Sequence, residues 1–206
     1  MAEPRFRSAA QVGSRPLANW GRESEDGCRP GRSLVAQGAR TMGRDIRGSV
    51  AVITGASRGI GRRVAITLAQ QGCDVALLAR TESGLAETAG LCSEYGVRAE
   101  VIPCNLLDAG SQEAAVRACE ARLGRLDILI NNGGVFGTSP AAEADTHAWD
   151  QMIQVNLLSA MRLTRLTLPR IIEGGKGAII FLASLAGRFT SPGMGAYCAS
   201  KHGMVG

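Results

Sequence analysis

No apolar run in this chain reaches 18 residues, so no stretch is long enough to cross a bilayer as a helix. A secretory h-region is missing as well. The six cysteines, at 28, 73, 92, 104, 119 and 198, form no CxxC pair and no Cys/His set with metal-ligand spacing. No metal site is expected. Most of the cysteines sit in apolar segments, which points to buried free thiols in a reducing compartment. Net charge is scarce along most of the chain. Residues 1–47 hold nine Arg and five acids, a net +4, and the remainder carries only +1. The pI near 9.1 is therefore no argument for a nucleic-acid partner. Neither a membrane nor a nucleic acid is expected to bind.

What is present suits one domain of ordinary size with an appendage: 206 residues, 45% of them hydrophobic. Residues 1–41 are rich in Arg, Gly, Ser and Pro and show no helical or strand periodicity. Two readings compete for them. An Arg-rich, Ser-containing leader suits an organelle transit peptide for a mitochondrion or plastid. Glu3, Glu23, Glu25 and Asp26 are many acids for such a leader. The other reading is a disordered extension, with Met42 as an alternative start and a cytoplasmic location. Residues 1–45 are assigned to this extension and 46–206 to the domain.

From Ser49 the pattern becomes regular. Short apolar strands are predicted at Val50–Thr54, Asp74–Ala79, Arg98–Pro103, Leu126–Ile130 and Ala178–Ala183. Between them lie helical segments. The first carries Ile60, Val64 and Leu68 at helical spacing, with Gly72 as its cap. A second covers 82–95. A third runs from an N-cap at Ser111 to Leu123, closed by Gly124. A long one opens at Asp145 or Thr146 and reaches Ile172. Continuous apolar strands alternating with amphipathic helices mean an α/β fold: a doubly wound parallel sheet in three α/β/α layers. Such sheets bind ligands beyond the carboxyl ends of their strands. Gly55–Gly61, Arg80, Asn105, Asn132 and Ser184 all fall there.

Gly55, Gly59 and Gly61 stand between a strand and a helix. Gly55 permits a tight turn, Gly59 lets a pyrophosphate approach the backbone and the helix N-terminus, and Gly61 allows close helix–strand packing. A purely structural turn has the same residues; the flanking strand and helix favour a dinucleotide. An acid should end the second strand if the ribose carries a free 2′-hydroxyl. Ala79 stands there instead, with Arg80 next and Arg58 in the glycine turn. Either arginine alone reads as a solvated charge. Together they suit a 2′-phosphate, hence NADP(H) over NAD(H). Near the other end, Tyr197 and Lys201 stand four apart, on one face of a helix. That is a common helical pair. It is also the arrangement in which an ammonium favours the phenolate and makes a Tyr useful in proton transfer. Ser184 supplies a hydroxyl thirteen residues before Tyr197. His147 and His202 lack partners and read as surface residues.

Thr54-Gly55-Ala56-Ser57-Arg58-Gly59-Ile60-Gly61, Asn131-Asn132-Gly133-Gly134, Asn156, Ser184 and Tyr197-Cys198-Ala199-Ser200-Lys201 stand in a familiar order and spacing. In these motifs residues 46–206 resemble the short-chain dehydrogenase/reductase family, in particular its 3-oxoacyl-carrier-protein reductases. The resemblance implies a Rossmann-type domain lacking its last strands, and oxidoreduction of a small carbonyl or alcohol substrate with NADP(H). It implies that Tyr197 is the general acid/base and that Lys201 lowers its pKa and binds the nicotinamide ribose. Ser184 would orient the substrate oxygen, and Asn156 would hold a water linking Lys201 to solvent. Gly55, Ser57, Arg58, Gly59, Ile60, Gly61, Arg80, Asn105, Leu106, Asn132 and Gly133 would join Tyr197 and Lys201 in binding the cofactor. Two positions depart from the pattern. Gly133 replaces the usual Ala, which loosens the turn, and Asn105 replaces the usual Asp, whose role with the adenine amino group an Asn carbonyl can still fill. The family's domain continues past the Tyr/Lys helix, and only five residues follow Lys201. The rival expectation is therefore a truncated, non-catalytic chain that binds nucleotide at most. A homo-oligomer is expected for the full-length family member.

Overall fold

The computed structural model describes residues 45–175 and 177–206. The expected extension over 1–45 lies, but for Asp45, outside them. Five strands form one parallel sheet: β1 (Val50–Thr54), β2 (Asp74–Ala79), β3 (Ala99–Pro103), β4 (Ile128–Asn131) and β5 (Ala178–Phe181). Their spatial order is β3-β2-β1-β4-β5. The chain winds outward from β1 to β3, then crosses back to β4 beside β1. The order thus reverses between β1 and β4, the place where such sheets open a ligand crevice.

Helices α1 (Gly59–Gln70) and α2 (Glu82–Ser93) cover one face. There Ile53, Ala65, Leu77 and Leu85 are buried together. Helices α3 (Ala109–Leu123) and α5 (Ser159–Glu173) cover the other. There Leu78, Cys119, Leu129 and Leu163 form a second core. The remaining helices are α4 (Thr146–Ile153) and α6 (Gly195–Val205). With both faces packed, β1 is buried along its whole length, which is why it reads as an unbroken apolar run. Cys73, Cys92, Cys104, Cys119 and Cys198 are buried free thiols, as their apolar surroundings led one to expect. No helix among the described residues is long and apolar enough to cross a membrane.

Several boundaries differ from expectation, each for a local reason. Asp108, not Ser111, caps α3: its carboxylate accepts from the Gly110 and Ser111 amides. Two acceptor oxygens outcompete one hydroxyl there, and the Ser111 hydroxyl turns back to accept from the Asn105 amide at 2.9 Å. β4 starts at Ile128 rather than Leu126. The preceding Asp127 is buried, accepts from the Val50 amide at 2.8 Å and takes both arms of Arg125, so it serves as a bracket between strand starts. The long helix does begin at Thr146 under an Asp145 cap. It is interrupted, however, by a π turn at Gln154–Leu158 before α5 resumes it. β5 is shorter than expected, closing at Phe181, and is largely exposed.

Candidate active site

The glycine turn leaves β1 at the point where the strand order reverses. Gly55 and Gly59 take φ of +67° and +56°, a region that disfavours any side chain. A methyl on Gly59 would meet nothing within 4 Å, so this backbone borders open space. On Gly61, by contrast, a methyl would fall onto the Gly55 carbonyl, so that glycine is needed for the close packing of α1. Helix α1 has no side-chain cap and no acid in its first turn. Its leading amides are thus left for an anion. Beyond the turn opens a cleft of about 600 Å³, lined in part by Gly55, Ser57, Arg58, Arg80, Asn105 and Leu106. Ile60, by contrast, is exposed. The donor set of uncapped amides and guanidiniums fits a phosphorylated dinucleotide.

The floor of the cleft is tied across the sheet by Thr54. Its hydroxyl accepts from the amides of Asn132 at 3.0 Å and Gly133 at 2.7 Å. It donates to the Ile130 carbonyl at 3.3 Å. The Asn132 side chain returns the contact, donating to the Thr54 carbonyl at 2.7 Å. Replacing the buried Thr54 by Val orphans the Gly133 amide and leaves the Asn132 amide with only the Ile130 carbonyl at 3.0 Å, at a cost of about 1–3 kcal/mol. Calorimetry of that variant should show a midpoint several degrees lower; an unchanged midpoint would remove this tie from the account.

Gly133 turns out differently from its sequence reading. The Gly133 amide is fixed by Thr54, so the turn is not loose. A methyl at Gly133 would instead come within 2.5 Å of Leu106 Cδ1; glycine makes room for that leucine. The Asn105 carboxamide oxygen accepts from the Leu107 amide at 3.1 Å. That bond fixes the side-chain orientation and uses one of the oxygen's two lone pairs, so the oxygen can still accept a second hydrogen bond.

The second group of residues gathers on α6 and what it packs against. Lys201 is buried, and its Nζ donates to the Leu182 carbonyl at 2.7 Å, just past β5. No carboxylate pairs with it among the described residues. Burial pushes its pKa below the ordinary lysine value. The ammonium lies 5.9 Å from the centroid of the Tyr197 ring. Tyr197 meets Phe136 edge-on, with centroids 4.9 Å apart. Ser184 caps a short turn, Leu185–Gly187, accepting from the Ala186 amide at 3.2 Å. This turn is pressed against α6: a methyl on Gly187 would lie 2.6 Å from the Lys201 carbonyl. The helix and the serine turn are therefore brought together, although no hydrogen bond joins Ser184, Tyr197 and Lys201 among the described residues.

Asn156 is fully buried in the π turn. Its Oδ1 accepts from the Val135 amide at 2.8 Å, and its Nδ2 donates to the Val135 carbonyl at 2.9 Å and to Ser200 Oγ at 3.1 Å. The Ser200 hydroxyl donates in turn to the Tyr197 carbonyl at 2.7 Å. Both Nδ2 hydrogens are used, so the side chain is a junction between the loop after β4 and the Tyr197 helix. The wide turn also rearranges its own backbone: the Ser159 amide reaches five residues back to the Gln154 carbonyl. The Ser159 hydroxyl takes the Val155 carbonyl at 2.6 Å. Sequence reasoning missed Ser200 and Phe136; the first stands beside Lys201 in the motif, and the second carries no signal in the sequence.

Residues 49–206 match the family model described as short chain dehydrogenase. The chain belongs to the short-chain dehydrogenase/reductase family. Among relatives, a ketoacyl reductase of Nostoc sp. is 36% identical over 160 residues, which is 78% of this chain and 56% of that protein. A metagenomic short-chain oxidoreductase solved in complex with NADP superposes with a TM-score of 0.75 at 36% identity, over 79% of this chain and 74% of that one. Carveol dehydrogenase from Mycobacterium avium, solved with NAD, matches equally well by TM-score at 0.75, with 32% identity over 78% of this chain and 63% of that one. The chain spans roughly half to two thirds of the length of the curated short-chain dehydrogenase/reductase relatives it matches.

Proposed function

We propose that this family member binds NADP(H) and interconverts a carbonyl and a secondary alcohol, with Tyr197, Lys201, Ser184 and Asn156 as its working residues. The observation that carries this reading is Lys201. A buried ammonium without a counter-ion is costly, and such perturbed groups cluster at functional sites. Here it lies one helical turn from a phenol, beside a serine turn, at the carboxyl end of the sheet.

Each residue then has a task. Tyr197 moves the proton on the reacting oxygen. The Lys201 charge favours the phenolate side of that transfer. The Ser184 hydroxyl orients the same oxygen. Asn156 positions the Tyr197 helix through Ser200 and the approach loop through Val135. The bound nicotinamide dinucleotide supplies hydride exchange. The turn from Gly55 to Gly61 takes its pyrophosphate on the α1 amides, and Arg58 and Arg80 take the 2′-phosphate. The name of the Nostoc relative makes a ketoacyl compound a reasonable first substrate to assay.

NADPH is expected to raise the melting temperature of the chain more than NADH does, and Arg80→Ala to remove most of the difference. A guanidinium–phosphate contact of this kind is worth about 1–2 kcal/mol, or roughly tenfold in affinity. Equal shifts by the two cofactors in the unaltered chain would sink the NADP(H) assignment.

A further inference from the structure

Two carbonyls of the glycine turn are held by side chains from the neighbouring helices. The Thr88 hydroxyl donates to the Ala56 carbonyl at 3.0 Å. Arg62 Nη2 donates to the Ser57 carbonyl at 2.6 Å. Arg62 is itself gripped from α2: both oxygens of Glu87 accept from its guanidinium, each at 2.8 Å. The two helices meet closely here, because a methyl on Gly84 would come within 3.1 Å of the Ser57 carbonyl oxygen.

Glu87 has a second property. Among the residues lining the cleft it is the one carboxylate, set against Arg58, Arg62 and Arg80. A free carboxylate in that wall repels a ribose phosphate and tolerates a ribose hydroxyl. Paired in a two-pronged fork with Arg62, its charge is cancelled. The same fork keeps a guanidinium on the Ser57 carbonyl, so that oxygen is not free to turn toward an anion in the cleft.

We propose that the Arg62–Glu87 pair sets cofactor choice: Arg62 cancels the cleft's carboxylate and holds the Ser57 carbonyl, and thereby keeps the site open to a 2′-phosphate. This rests on the NADP(H) reading above. Arg62 acts through Glu87 and Ser57; it is a positioning residue, whereas Arg58 and Arg80 are the ones that grip the phosphate.

The test is fluorescence titration of NADPH and NADH into the 206-residue chain and three variants, Arg62→Met, Glu87→Gln and the double variant. Arg62→Met is expected to weaken NADPH about tenfold and NADH threefold or less, since both cofactors carry the pyrophosphate but only NADPH adds a 2′-phosphate to the repulsion by the uncovered carboxylate. In the double variant the ratio of the two affinities should return to that of the unaltered chain, even if both cofactors bind somewhat more weakly. Equal losses for both cofactors in Arg62→Met, or a double variant that fails to restore the ratio, overturn the proposal. Melting curves without cofactor monitor folding. If Arg62→Met does not fold, Arg62→Gln alone and with Glu87→Gln gives the same comparison, because a neutral carboxamide leaves the charge of the carboxylate uncovered. An unaltered chain with no preference for NADPH removes the parent assignment and this proposal together. A preference that persists unchanged through every variant removes this one alone.

Discussion

Tyr197→Phe is expected to reduce carbonyl-reductase turnover by about a thousandfold, within the range assigned to positioned acid–base groups, while leaving the melting temperature nearly unchanged. The substitution deletes one oxygen. The edge-on contact with Phe136 survives, because it uses the ring. No protein group in the described residues hydrogen-bonds the hydroxyl, so its removal orphans nothing. The expected signature is thus a loss in kcat with a folded protein. The assay is the decay of NADPH absorbance with a 3-oxoacyl compound, run beside Tyr197→Phe at several pH values. Turnover equal to that of the unaltered chain would sink the proposed chemistry. Lys201→Met probes the same step from the other side and should also lower kcat, since the charge beside the phenol is lost.

Stability should collapse in mild alkali, and the buried thiols are the reason. Burial pushes Cys73 and Cys92 up to about 11, and Cys119 up to about 12; an unfolded thiol ionises near 8.5. Between these values the unfolded chain releases protons that the folded chain keeps. Stability from these groups is therefore complete below pH 8.5 and is lost as pH rises toward 11 and 12. Each thiol contributes a slope of about 1.4 kcal/mol per pH unit, so three approach roughly 4 kcal/mol per unit. Lys201 acts in the opposite sense. Its folded pKa is depressed, so the unfolded state holds the extra proton and stability from this group rises with pH as the folded amine neutralises. One lysine against three thiols leaves a net loss, and a domain has only about 5–15 kcal/mol to lose. Urea midpoints measured from pH 8 to 10.5 should fall steeply above pH 9, and Cys119→Ala should flatten the fall by about a third. A flat profile would mean that the thiols are not buried in solution.

The sequence makes the sheet legible because β1, β2 and β4 are buried on both faces, and complete burial leaves an unmistakable apolar run. The glycine turn is legible for a related reason: positive φ and close packing admit few residues, so the backbone requirement is written in residue type. The Tyr197–Lys201 pair is legible as a shared helix face. The role of Asn156 is not. A π turn is one residue of slack in a helix, and nothing in a 3.6-residue period announces it. Its partners, Val135 and Ser200, lie 21 and 44 residues away, beyond the reach of any local pattern. The Arg62–Glu87 fork is hidden likewise: each residue alone reads as a solvated helix charge. Gly133 was legible as a departure but not in its meaning, since the leucine that occupies the vacated space comes from the turn after a different strand.

The bracket between strand starts also sets a clock for the molecule's birth. The Val50 amide binds the side chain of Asp127, 77 residues later, and the Thr54 hydroxyl waits 79 residues for Gly133. At a synthesis rate of about 5–20 residues per second, β1 stands without its inner neighbour for roughly 4–15 s. During that interval β1, β2 and β3 can pair, but one flank of β1, a strand buried along its whole length, stays bare, and the floor of the cleft does not exist. A nucleotide bound as proposed therefore cannot assist the first half of folding. It can only bind, and so hold, a sheet that β4 has already closed.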